Sequence, residues 1–223
     1  MAFLAERHTA VSGHSADSVK KSAFLINRAR FSAMILTNEE LRSLVELKHQ
    51  SPHTLLGMHA LGDNSGLVVR AHLPDAAKVE IQPVHEKDKP RFTLERIPNT
   101  DVFEGVTKAA NKVYAYDLVV ETKDRRSRRT RDAFSFLPTL GEGDLYLFGK
   151  GDERKIYEKL GAQLRVMDGV PGASFAVWAP NAQRISVVGD FNGWDGRFHP
   201  LRLLGASGVW EIFVPGVGEG AHY

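Results

Sequence analysis

The residues best suited to chemistry stand in one stretch, Gly189-Asp-Phe-Asn-Gly-Trp-Asp-Gly-Arg-Phe-His-Pro200. Asn192-Gly193 is a tight-turn pair, so Trp194 is expected to emerge from a hairpin tip rather than from a strand core. An indole face presented at a turn suits the apolar C–H face of a pyranose ring. Covering roughly 80 Å² at about 25 cal/mol/Å² is worth on the order of 2 kcal/mol, about thirtyfold in affinity. Asn192 and Asp190 are candidates for hydrogen bonds to sugar hydroxyls. A competing reading folds Trp194 back to plug a sheet edge or an interdomain seam, and side-chain chemistry alone leaves both open.

No hydrolytic or redox constellation accompanies this stretch. His49 and His53 are four apart, but Pro52 breaks the helix that would bring both onto one face. His85-Glu86 lacks the second histidine of a zinc-protease motif, and Gly141-Glu-Gly143 lacks the third glycine and the preceding strand of a dinucleotide site. No cofactor and no metal are expected. The absence of cysteine excludes disulfides and thiolate metal sites and fits a reducing cytoplasm. With 29 Lys and Arg against 27 Asp and Glu, the net charge of +2 predicts no pull toward nucleic acid or an anionic membrane. No segment approaches the roughly 18 apolar residues of a membrane span.

The elements that must position these residues are mostly strands. Residues 1–36 carry few acids, several basic residues and no secretory h-region, and read as a flexible extension. Met34, just before the first helix, stands where a start codon could also lie. Thr37-Asn38-Glu39-Glu40 is a capping box flanked by Leu36 and Leu41, and it predicts a helix of about three turns bounded by Pro52. Five strands follow without an intervening helix, over 66–74, 78–83, 91–97, 101–106 and 113–120, which argues a β-sandwich. A second set covers 172–180, 184–189 and 209–214. Residues 152–160 are expected to form a helical turn or two.

The second set repeats the first. Pro74 matches Pro180 at a separation of 106, and in that register Gly66 meets Gly172, Lys78 meets Arg184, Val79 meets Ile185 and Ile81 meets Val187. A run in register indicates a duplicated unit. The expected architecture is therefore mostly β: two tandem immunoglobulin-like β-sandwiches with a short N-terminal helix. The first, with its helix, covers 37–138, a linker covers 139–156, and the second covers 157–223. The second stops where the strand matching residues 113–120 should begin, so it is expected to be truncated. The cluster Lys123, Arg125, Arg126, Arg128, Arg129 and Arg131 reads as a solvated loop. Trp210 aligns with Phe103 and alternates with Ile212 and Val214, so it belongs to the core. Trp178, at a strand end, is expected in the core or a seam. Asp88 takes the place of Trp194 in the first unit, so only the second could stack a sugar.

Several motifs are similar to those of bacterial 1,4-α-glucan branching enzymes: Tyr157-Glu-Lys-Leu-Gly-Ala162, Met167-Asp-Gly-Val-Pro-Gly172, Phe175-Ala-Val-Trp-Ala-Pro-Asn-Ala182, Ser186 to Arg197 and His199-Pro-Leu-Arg202. Leu55-Leu-Gly-Met-His59 and Gly141 to Phe148 resemble the same family's first module and linker. One departure is Ala133, where the family usually has proline. The resemblance implies retaining chemistry with two carboxylates on a (β/α)₈ barrel, by which α-1,4-glucan segments pass to 6-hydroxyls. The barrel needs roughly 250 further residues, so this chain is expected to supply glucan binding and support of its own barrel, with no catalytic residue. The implied partner is an α-glucan, and the tryptophan turn of glycogen-binding modules favours stacking by Trp194. A stand-alone glucan-binding or regulatory module is the alternative. A debranching or trehalose-forming relative fits less well, because those usually carry a single such module.

Overall fold

The computed structural model describes residues 36–223, so the expected N-terminal extension lies outside the described residues except for Leu36. The capping box forms: Thr37 Oγ1 accepts from the Glu40 amide at 3.2 Å, and the Glu40 carboxylate accepts from the Thr37 amide at 2.8 Å. Helix α1 (Asn38–Val45) is shorter than expected, and it buries Leu44.

The first sandwich contains β1 (Gly57–Ala60), β2 (Leu67–His72), β3 (Ala76–Pro83), β4 (Phe92–Arg96), β5 (Val102–Thr107), β6 (Tyr116–Thr122) and β7 (Ser127–Arg131). They are antiparallel in the order β1-β2-β5-β4-β3-β6-β7, with β4 joining the two halves. Alternation sends Val79 and Ile81 of β3, and Tyr116, Leu118 and Val120 of β6, into one core with Leu67, Val69 and Phe103. The basic cluster is not a loop, because its second half is β7. Asp75 holds Arg128 with both oxygens, and Asp117 holds Arg129 and Arg131 at 2.6 and 2.9 Å. Matched carboxylates let an arginine-rich strand pair with β6.

The second sandwich has β8 (Gly161–Met167), β9 (Val170–Trp178), β10 (Arg202–Leu203) and β11 (Val209–Pro215), in the order β10-β11-β9-β8. The β8–β9 turn uses two left-handed residues, Asp168 (φ 50°) and Gly169 (φ 76°), the geometry that two-residue hairpins favour. The run β8-β9-β11 repeats β1-β2-β5, so the duplication seen in sequence is carried by this half of each unit. Residues 184–189, expected as a strand, form only a single bridge, Ser186 to Pro200. Their counterpart β3 is paired on both sides, by β4 and β6, whereas they touch one neighbour among the described residues.

Strands β2 and β11 are buried along both faces. Their outward faces carry the same device. Arg70 on β2 lies directly across the ladder from Glu104 on β5, and Nε donates to the carboxylate at 2.7 Å. Arg202 on β10 lies directly across from Glu211 on β11, with Nε donating at 2.6 Å. In each pair a second guanidinium nitrogen binds the backbone leading into that unit: Arg70 holds the Leu55 carbonyl and Arg202 the Phe136 carbonyl. Glu211 also accepts from Thr139 N and Oγ1, while Phe136 meets Phe213 edge to face and Leu140 packs on Val209.

The expected linker is thus a structural cover. It includes helix α2 (Glu142–Lys150), which the sequence reading missed, ended by Gly151 in the left-handed region. The turn expected over 152–160 shrinks to Ile156–Glu158. Ala133 opens a short 3-10 turn fixed by Asp132, whose carboxylate accepts from the Phe134 amide at 2.9 Å and from the Tyr116 hydroxyl. That brace supplies the stiffness a proline would give.

Two stability predictions follow from the covers. Glu211→Ala strands a buried guanidinium and is expected to cost about 3–5 kcal/mol in urea unfolding, whereas Arg202→Met with Glu211→Leu should recover most of it. Ala133→Pro, at the first position of a turn entered from an extended residue, should raise stability by about 0.4–1 kcal/mol in the same measurement.

Candidate carbohydrate-binding site

The turn that carries Trp194 is built from the inside out. Phe191 points inward, stacked on Phe175 at 6.0 Å and tilted against His199 at 5.7 Å. Asn192 is buried with its amide fully engaged: Oδ1 accepts from the Gly189 amide, while Nδ2 donates to the Val187 carbonyl and to His199 Nδ1, each at 2.9 Å. Gly189 lies against the end of the chain, where a β-carbon would collide with the His222 carbonyl oxygen. Backbone bonds from Asn192 N and Trp194 N close on the Gly189 carbonyl.

These ties hold two successive residues, Gly193 and Trp194, in the left-handed region at φ 61°. For a tryptophan that conformation costs about 1–2 kcal/mol. The strain puts the indole outside: Trp194 is 55% exposed. Its Nε1 donates to Asp190 Oδ1 at 2.9 Å, and Asp190 Oδ2 lies 3.1 Å from His222 Nδ1. These two bonds hold the Asp190 carboxyl below the usual carboxylate range, with the indole N–H contributing most. Tethered by its edge, the ring keeps a face toward solvent.

Three expectations are altered by this geometry. The turn is a 3-10 turn within an irregular segment, not the tip of a strand hairpin, because 184–189 does not form a strand. Asn192 has no free function for a ligand, since every group of its amide shapes the turn. Trp178 is 55% exposed rather than core or seam. Strand parity turns it outward beside Val209, where Phe148 of α2 meets it edge to face at 6.0 Å. Trp210 is buried in the core as expected, its Nε1 donating to the Ala179 carbonyl. Sequence reading missed His199 and His222 as supports of the turn, and His222 bears on Asp190 from 32 residues away.

An exposed aromatic plate beside a carboxylate, on the second of two tandem sandwiches, is an arrangement suited to a carbohydrate-binding type of β-sandwich module. The comparisons agree. Residues 159–223 match carbohydrate-binding module 48 (isoamylase N-terminal domain), and residues 37–134 match the N-terminal domain of alpha-1,4-glucan branching enzyme GlgB. The chain is 47% identical over 184 residues to the 1,4-alpha-glucan branching enzyme GlgB of Myxococcus xanthus, covering 82% of this chain and 24% of that protein. With the enzyme of the same name from Thiobacillus denitrificans it shares 47% over 178 residues, 78% of this chain and 23% of the other. A pullulanase structure from Anoxybacillus sp. LM18-11 aligns at 13% identity with a TM-score of 0.20, over 71% of this chain and 22% of that one, too loosely to bear on the fold. The chain is thus similar, over most of its length, to the N-terminal portion of 1,4-alpha-glucan branching enzymes GlgB. It spans about a quarter of the length of the curated relatives it matches. No helix among the described residues is long and apolar enough to cross a membrane.

His199 gives the turn a pH dependence. Burial, helped by Arg128, lowers its pKa to about 4. A histidine whose folded pKa lies below its unfolded value of about 6.5 contributes stability that is complete above that value and lost as pH falls toward 4. Protonation of Nδ1 would remove the acceptor for Asn192. Hydrogen exchange of the Trp194 indole proton is therefore expected to accelerate, relative to amides of the first sandwich, between about pH 6.5 and 4, and His199→Ala should abolish that acceleration.

Proposed function

We propose that this chain is the glucan-holding N-terminal part of a glycogen-synthesising 1,4-α-glucan branching enzyme, active in the cytoplasm. The observation that carries the reading is the outward indole of Trp194, fixed by its N–H to Asp190. A glucosyl ring lays its C–H face on the indole, and a hydroxyl of the same ring donates to a remaining lone pair of the Asp190 carboxylate. Asn192 and His199 act only by holding the turn in shape. The transfer of α-1,4-linked segments to 6-hydroxyls is assigned to the part of the relatives that this chain does not span. Its own contribution is to keep the donor polymer close, which raises the local concentration of chain ends.

Affinity electrophoresis in glycogen tests the binding claim. Trp194→Ala is expected to weaken retardation by about thirtyfold in affinity, the on the order of 2 kcal/mol that stacking supplies. Unchanged retardation would remove Trp194 from the site. Residues 1–223 assayed alone should leave the iodine staining of amylose unaltered, and measurable branching would overturn the division of labour.

A further inference from the structure

A cleft of about 760 Å³ lies between the two sandwiches, lined in part by the turn that presents Trp194. One wall comes from the first sandwich, with His72, Asp75, Arg128 and Thr130. The other comes from the second, with Asp190, Gly193, Phe198 and Val217. The size falls within the roughly 300–1,000 Å³ range of small-ligand sites.

The charges of this cleft favour a neutral occupant. Arg128 is held by both oxygens of Asp75, Arg131 by Asp117, and Asp195 by Arg197. Arg126 on the rim pairs with Asp124. An anion would have to compete with a carboxylate already seated on each of these guanidinium groups. A polyol needs no such exchange, because a paired carboxylate and guanidinium still present free lone pairs and N–H groups at the spacing of neighbouring hydroxyls. Apolar surface is interleaved with these groups: the Phe198 ring, with the Arg128 guanidinium 5.8 Å from its centroid, and Val217 beside Pro215. Alternating ion pairs and C–H-receptive surface is the recognition chemistry of an oligosaccharide.

We propose that the cleft between the sandwiches is a second carbohydrate subsite, which takes a short neutral oligosaccharide, the end of a chain whose body lies on Trp194. The proposal deepens the glucan-binding reading and rests on it for the ligand class, but its residues are separate from the indole. Asp190 and Gly193 belong both to the turn and to the cleft wall, so the two sites adjoin.

The test is an NMR titration of the intact chain with maltotriose, followed at Thr130, Phe198 and Val217. Saturable shifts at these residues are expected, and they should persist in Trp194→Ala, which is expected to lose glycogen retention instead. Arg128→Gln, shown by thermal unfolding to remain folded, should weaken maltotriose binding by about tenfold. Shifts confined to the Trp194 turn, or none at the cleft residues, would overturn the subsite and leave the stacking reading standing. Full retardation in Trp194→Ala with shifts at the cleft would remove the indole and keep the subsite. Displacement of maltotriose by inorganic phosphate at equal concentration would overturn the neutral-ligand assignment.

Discussion

An arginine buried on the outward side of a sheet needs both a counter-charge and a cover that keeps water away. In this chain the need arises twice, at Arg70–Glu104 and Arg202–Glu211, and it is met each time by the polypeptide entering that sandwich. Breaking such a pair costs several kcal/mol, whereas replacing it with apolar residues is often neutral. Its value here is geometric, since a guanidinium that must find a particular carbonyl fixes where the leading strand lies. Helix α2 and the segment around Phe136 and Leu140 then follow, and with them the outer face of β11 is closed.

The turn that carries Trp194 shows the complementary logic. A buried amide, a neutral imidazole and an inward phenyl ring together hold a tryptophan in a conformation that its own backbone disfavours. The support lies inside the second sandwich and the plate lies outside it, so exposed contact surface and stability are carried by different atoms of the same loop. Loss of the indole removes contact surface, whereas loss of Asn192 or His199 would release the strain and let the plate wander.

Much of the fold was legible in the sequence. The Thr37 capping box, the alternation in β3 and β6 and the register linking Phe103 to Trp210 all describe local chemistry, and each is realised. Legibility ended where a distant partner decides. Arg128 to Arg131 read as loop because the carboxylates that neutralise them come from Asp75 and Asp117, elsewhere in the chain. Residues 184–189 share the pattern of β3 but lack its second neighbour among the described residues. At the candidate site, Trp194 could be picked out from its turn and Asp190 from its spacing. The inward role of Asn192 could not, because it depends on His199 reaching the same point in space.

The cover of the second sandwich also bears on synthesis at the ribosome. Thr139 must wait for Glu211, 72 residues later, before its hydrogen bonds can close. At roughly 5–20 residues per second that interval is about 4–14 s, during which Phe136 and Leu140 trail behind a first sandwich already able to collapse. Over that interval a nascent chain offers two greasy side chains to whatever is nearby.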